Sequence, residues 1–113
     1  MKVTSEQSGG VSIVRVSETR LMYPMLADFS STVTGLVAAG RREILIDLAP
    51  VTYVDSATIG CLMDLYRQVS SAGGHLKLSG VQKRVETMLT LTGAHNFIEI
   101  HSDEPTAVKS FGA

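Results

Sequence analysis

Residues 43–60 decide the fold, and they read Glu43-Ile44-Leu45-Ile46-Asp47-Leu48, Ala49-Pro50-Val51-Thr52-Tyr53-Val54 and Asp55-Ser56-Ala57-Thr58-Ile59-Gly60. The first six residues are a nearly continuous apolar run, which is typical of a strand in the interior of a sheet. The last six place Asp and Ser ahead of a helix-like stretch from Cys61 to Ala72, and both residue types are preferred helix N-caps. One of Asp55 and Ser56 is therefore the predicted cap, in the loop that leaves a buried strand.

Upstream of this stretch, the sequence predicts two strands and a helix. Residues 2–7 and 11–16 are separated by Ser8-Gly9-Gly10, which is a turn signal. In the second strand Ile13 faces one side while Val14 and Val16 face the other, so we expect both faces to be covered. An amphipathic helix follows over residues 24–39, where the apolar residues at helical spacing are Met25, Leu26, Phe29, Val33, Leu36 and Val37.

Downstream, helices and strands continue to alternate. One helical face carries Ile59, Leu62, Met63, Tyr66 and Val69, and this helix ends at Gly73-Gly74. Residues 75–79 and 97–100 read as strands on either side of a third helix, and a last helix begins near residue 103. The prediction is a single α/β domain over residues 1–113, with a mixed, mostly parallel sheet of about five strands packed with about four helices.

Composition excludes several classes of function. The 113 residues are 44% hydrophobic and 19% charged, which is typical of a folded domain. Ten Lys or Arg residues against eleven Asp or Glu give a net charge of -1, so no direct contact with nucleic acid is predicted. The N-terminus has no signal-like apolar segment, and no stretch approaches the ~20 apolar residues that span a bilayer. We therefore expect a cytoplasmic protein without membrane insertion.

The single cysteine and the three histidines form no recognisable reactive site. Cys61 has no partner for an internal disulfide and is expected to pack within a helix. The histidines lack the spacing of a helical metal pair, so neither a metal nor a cofactor is predicted. A hydrolase built on Ser56 would need a G-x-S-x-G elbow, but Val54 and Thr58 stand where its glycines would be. The protein is therefore not expected to be an enzyme.

The chemistry of Ser56 favours a switch. A helix N-terminus stabilises added negative charge, so a phosphate on Ser56 would be well tolerated. Ala57 and Gly60 are small, which would let a partner approach closely. Tyr23, ahead of the first helix, is a candidate anchor because protein interfaces are rich in tyrosine.

At these residues the sequence resembles the STAS domain family, and within it the bacterial anti-sigma factor antagonists. The resemblance rests on Asp55-Ser56-Ala57-Thr58-Ile59-Gly60, on Gly73-Gly74-His75-Leu76-Lys77-Leu78, and on the run from Val85 to Gly93. It covers most of the chain from Glu43 onward, and the order of the three segments makes it specific.

The resemblance implies a phosphorylation-controlled protein-binding switch that regulates transcription. Ser56 matches the serine that is phosphorylated by an anti-sigma factor with serine kinase activity. The unphosphorylated antagonist binds that partner and so frees the sigma factor, and a separate serine phosphatase resets the switch. On this interpretation the partner-binding residues are Asp55, Ser56, Ala57 and Thr58, together with Arg20 and Tyr23.

Two departures from the family pattern favour an alternative. Ala57 and Thr58 replace a small hydroxyl residue and a glycine, and Thr58 is also a second candidate phosphoacceptor. Arg20 and Leu21 stand where many members carry an acidic residue that helps contacts with the partner or with the nucleotide. The alternative is a STAS interaction subunit that is never phosphorylated, within a lipid-transport ABC assembly or a sensory scaffold.

Overall fold

A five-stranded sheet forms the centre of the computed structural model, which describes residues 2–112. In chain order the elements are β1 (Val3–Ser8), β2 (Val11–Val16), β3 (Arg20–Leu21), α1 (Leu26–Ala38), β4 (Glu43–Asp47), β5 (Tyr53–Val54), α2 (Ser56–Ser71), β6 (His75–Ser79), α3 (Lys83–Leu91), β7 (Glu99–His101) and α4 (Glu104–Lys109). The large sheet has the order β1-β2-β4-β6-β7, and β3 pairs separately with β5.

The mixed, mostly parallel sheet predicted from the sequence is confirmed. β1 and β2 form an antiparallel hairpin, while the pairs β2–β4, β4–β6 and β6–β7 are all parallel. β4 lies at the middle of the sheet, as its apolar run indicates. The predicted single domain also includes Met1 and Ala113, which lie outside the described residues.

Each face of the sheet carries its own apolar cluster. The larger cluster joins Val14 and Val16 of β2 to the helices α1, α2 and α3, with Phe29 and Leu62 fully buried within it. The smaller one joins Val11, Ile13 and Leu45 to Ala107 of α4. The prediction that β2 is covered on both sides is therefore correct, because alternate residues of a strand point to opposite faces.

Polar contacts fasten α4 and the residues after it to the second face. Arg15 of β2 forms a forked pair with Glu104, at 2.5 and 3.1 Å, and also contacts Asp47 at 2.8 Å. Lys77 of β6 is buried, and its Nζ donates to the backbone carbonyl of Ser110 at 2.9 Å. Such charge-assisted contacts compensate the cost of placing charged groups in a partly buried position.

Three details differ from the sequence analysis. α2 begins at Ser56, ahead of the predicted stretch from Cys61. Leu65 is buried on the inner face of α2, although it was not predicted among the residues of that face. Phe97 is 59% exposed, because a 3₁₀ turn over Ala94–Asn96 delays the last strand until Glu99.

Among residues 2–112, no helix combines the length and the apolar character that a membrane crossing requires.

Candidate functional site

Asp55 is the cap of α2, which resolves the choice between Asp55 and Ser56. Its Oδ1 accepts a hydrogen bond from the backbone N–H of Thr58 at 2.9 Å, and its Oδ2 accepts one from the N–H of Tyr23 at 3.0 Å. Hydrogen bonds to a carboxylate favour its charged form. The Thr58 hydroxyl first, and then the backbone donors, hold the pKa of Asp55 below its usual range. Asp55 thus ties the start of α2 to the segment that precedes α1.

Thr58 points into the protein, which corrects two expectations. It is fully buried, and its Oγ1 lies 2.7 Å from the carbonyl oxygen of Leu21 and 2.7 Å from Asp55 Oδ1. The reason is helical geometry, since Thr58 lies on the same face of α2 as Leu62 and Val69. Thr58 is therefore neither an exposed partner-binding residue nor an accessible phosphoacceptor in this fold.

Ser56, Ala57 and Gly60 form an open surface at the start of α2. All three are exposed, and a Cβ atom added to Gly60 would meet no other atom within 4 Å. No acidic side chain lies in the first turn of the helix. The positive end of the helix dipole is consequently offset only by the cap, and it remains able to stabilise further negative charge.

The structure brings the Arg20 segment to this surface. β3 and β5 pair in parallel, so that Arg20 lies opposite Tyr53 and Leu21 opposite Val54. The Arg20 guanidinium carbon lies 5.7 Å from the centre of the Tyr53 ring, within the range of a cation–π contact. Tyr23 is 73% exposed. Of the candidate site residues, Thr58 is buried and Asp55 is half-buried, while the others are exposed: Arg20, Tyr23, Ser56 and Ala57.

A groove of about 520 Å³ opens beside Ser56, between α3 and the residues that lead into α2. The side chains that form it include Tyr53, Val54, Ser56, Arg84, Val85 and Met88. The contribution of α3 to this site is not predicted from the sequence. The only signal in the sequence is the basic pair Lys83-Arg84 at the start of α3. Which of these two side chains faces the groove depends on how the helix packs.

Two of the three histidines contact carboxylates. His75 Nδ1 lies 3.0 Å from Glu43, and His101 Nε2 lies 3.0 Å from Glu99. His95 is exposed. Among residues 2–112, no group of three or more His, Cys, Asp or Glu side chains is arranged to hold a metal ion. Ser56 is exposed in the first turn of α2, and no hydrogen bond within residues 2–112 joins its hydroxyl to a histidine.

Comparison with known sequences gives several relatives that are named as anti-sigma factor antagonists. The chain is 28% identical to the anti-sigma-B factor antagonist of Bacillus subtilis over 73 residues, which is 65% of this chain and 67% of the relative. It is 25% identical to the anti-sigma F factor antagonist of Paenibacillus polymyxa, over 96% of this chain and 92% of the relative. Two Thermotoga relatives match at 32% and 29% identity, and the chain spans only 55% of their length.

Solved structures share the fold. An anti-sigma-factor antagonist (STAS) domain protein from Planctomyces limnophilus superposes with a TM-score of 0.89 at 17% identity, covering 98% of both chains. The phosphorylated form of the Bacillus cell fate determinant SpoIIAA superposes with a TM-score of 0.74 at 13% identity, covering 96% of this chain and 98% of the other. The family model of the STAS domain matches residues 2–107. With its β-hairpin, its mostly parallel sheet and the Asp-capped helix that begins at Ser56, this chain belongs to the STAS domain family.

Proposed function

We propose that this chain is an anti-sigma factor antagonist whose binding to its partner is controlled by phosphorylation of Ser56. The observation that carries the proposal is the exposed Ser56 hydroxyl at the N-terminus of α2, held in place by the Asp55 cap. The names of the sequence relatives support the same class of partner. The chain would act in the cytoplasm as a kinase substrate and not as an enzyme.

The partner would be an anti-sigma factor with serine kinase activity. In the transfer, Ser56 Oγ forms a bond to the γ-phosphorus of ATP, the bond to ADP breaks, and a base on the partner takes the hydroxyl proton. A separate serine phosphatase would hydrolyse the phosphoserine and restore binding. Phosphorylation would add about -1.5 to -2 charges to the site at neutral pH, and dephosphorylation would remove them.

Burial of Thr58 supports this function over the non-phosphorylated alternative. The departure from the family pattern at that position places a methyl and a hydroxyl inside the protein, where they do not obstruct a docked partner. The surface left open consists of Ser56, Ala57 and Gly60, which are small. A partner can therefore approach the helix end closely, and a phosphate there would repel an acidic or apolar surface.

The test compares the binding of wild type and three variants to a purified anti-sigma factor kinase from the same organism. Wild type and Ser56→Ala should bind the partner equally, while Ser56→Glu should bind at least about tenfold more weakly, which corresponds to about 1.4 kcal/mol. Ser31→Glu is the matched control, because it adds the same charge to an exposed position of α1. With ATP, only proteins that retain Ser56 should gain one phosphoryl group.

The opposite outcome has a definite meaning. If all four proteins bind equally and none gains phosphate, Ser56 is an exposed residue of the first helical turn without a switching role. Constitutive association with a transport ATPase or a multi-protein scaffold would then favour the alternative of a STAS interaction subunit.

A further inference from the structure

Arg84 is an unpaired cation in the groove beside Ser56. Both residues contribute to the lining of this groove, although Arg84 comes from α3 and Ser56 from α2. Arg84 is exposed and forms no salt bridge to another residue within 2–112. Its guanidinium is therefore available to an anion that enters the groove.

The carboxylate of Asp55 is hydrogen-bonded to groups other than Arg84. Asp55 also lines the groove, but one of its oxygens accepts from Thr58 and the other from the Tyr23 N–H. The remaining lining is formed by apolar and hydroxyl side chains, such as Val85 and Thr87. The groove is thus lined both by the guanidinium of Arg84, which has no ion pair within residues 2–112, and by Ser56, the exposed first residue of α2.

We propose that the Arg84 side chain binds the phosphate that Ser56 carries after phosphorylation. This inference rests on the proposed function, since it concerns the phosphorylated state of the same site. A guanidinium presents its N–H donors in a planar fork that matches two phosphate oxygens, and such bidentate pairs are the stronger class of ionic hydrogen bond. The dipole of α2 and the side chain of Arg84 would then act on the phosphate together.

The pairing gives phosphorylation a local structural effect besides its charge. A phosphate directed toward Arg84 would occupy the groove and neutralise its cation. Met88 and Tyr53, which also line the groove, would then be less accessible to a partner. The unphosphorylated and phosphorylated forms would differ in the shape of the binding surface while the backbone stays the same.

The test measures the second pKa of the phosphate directly, with no kinase. Phosphoserine is introduced at position 56 by genetic encoding, in the wild-type background and with Arg84→Gln, Arg84→Lys or Lys83→Gln, and ³¹P NMR follows the titration. A nearby cation favours the dianion and lowers this pKa from its ordinary value near 6, so Arg84→Gln should raise it by about 0.5 unit. Arg84→Lys should give a smaller rise, because it keeps the charge but loses the planar fork.

Lys83→Gln is the matched control. Lys83 is the adjacent exposed cation on α3 and does not line the groove, so its removal should move the phosphate pKa by less than half as much. Equal shifts for the two glutamine variants, or no shift for Arg84→Gln, would overturn the proposal. Because the phosphoserine is encoded, a kinase that fails to modify Ser56 would refute the proposed function without deciding this inference.

Discussion

Replacing Thr58 with valine tests the contact that fixes the start of α2. The substitution keeps the branched shape of the side chain and removes a buried hydroxyl that lies 2.7 Å from both the Leu21 carbonyl and the Asp55 carboxylate. The hydroxyl has a single hydrogen, which is donated to one of these acceptors at a time or shared between the two. Its removal leaves the Leu21 carbonyl without this donor inside the protein.

The expected loss of stability follows from these contacts. A hydrogen bond to a charged group contributes about 1.5–3 kcal/mol to stability. The methyl group that replaces the hydroxyl gains apolar contact, which offsets part of this loss. We therefore expect Thr58→Val to lower the free energy of unfolding by about 2 kcal/mol. For a chain of 113 residues this corresponds to a decrease in Tm of roughly 8 °C. Urea denaturation at pH 7 gives the free energy of unfolding, and calorimetry gives the Tm.

Thr58→Ser is the matched control, because it keeps the hydroxyl and loses only a methyl group. It should cost about 1 kcal/mol, so the order of stability should be wild type, then serine, then valine. A valine variant that is as stable as wild type, or more stable than the serine variant, would refute the argument that the hydroxyl holds β3 against α2.

The difference in stability between wild type and Thr58→Val should depend on pH. The Thr58 hydroxyl is the first cause that lowers the pKa of Asp55 from its usual 3.8. A carboxyl whose pKa is lowered by folding stabilises the protein above its unfolded pKa, and this contribution is lost as the pH falls through the folded value. The stability difference between wild type and Thr58→Val should therefore be largest near neutral pH and should narrow below about pH 3.8.

Three further substitutions have definite expected outcomes. Gly74→Ala should lose about 3 kcal/mol in urea denaturation, because its Cβ would overlap the backbone carbonyl of Arg42 and the backbone would have to move. Ser79→Ala should raise the free energy of unfolding by about 1 kcal/mol, since Ser79 Oγ is buried without a hydrogen-bond partner among residues 2–112. Arg15→Gln should cost about 1 kcal/mol at pH 7 after allowance for solvent screening, and this loss should shrink below pH 4.5, because the hydrogen bond from Arg15 is what lowers the pKa of Glu104.

One control variant and two contradicting outcomes make these results interpretable. Gly60→Ala is the counterpart of Gly74→Ala: the added Cβ meets no atom within 4 Å, so helix propensity should stabilise it by up to about 1 kcal/mol. If both alanine variants lose stability equally, steric overlap is not the cause at Gly74. A loss of stability in Ser79→Ala would indicate a bound water, and an Arg15→Gln loss that does not change with pH would exclude the ion pair as its origin.

The large sheet could be predicted because its signals are local. In β2, the period of two places Val14 and Val16 on one face of the sheet and Ile13 on the other, and this can be read before any packing is known. The apolar run of β4 likewise identified the middle strand.

The burial of Thr58 could not be predicted in the same way. Its hydroxyl is satisfied by the carbonyl of Leu21, 37 positions earlier in the chain, and nothing near Thr58 in the sequence indicates that partner. Hydroxyl residues in a first helical turn are otherwise expected to bond locally. The groove lining by Arg84 was missed for a related reason: a basic pair in the sequence does not reveal which of its members faces the neighbouring helix.

A charge switch needs a surface that does not rearrange when the charge arrives, and the contacts around Ser56 provide one. Asp55 binds the first turn of α2 on one oxygen and the Tyr23 backbone on the other, while Thr58 joins the same turn to Leu21. These bonds use the backbone and the side chains that precede and follow Ser56, and they leave the Ser56 hydroxyl itself free. A phosphate can therefore be added or removed at this position without breaking any of them. Partner affinity would then change through charge and access to the groove, while the free energy of unfolding stays nearly constant.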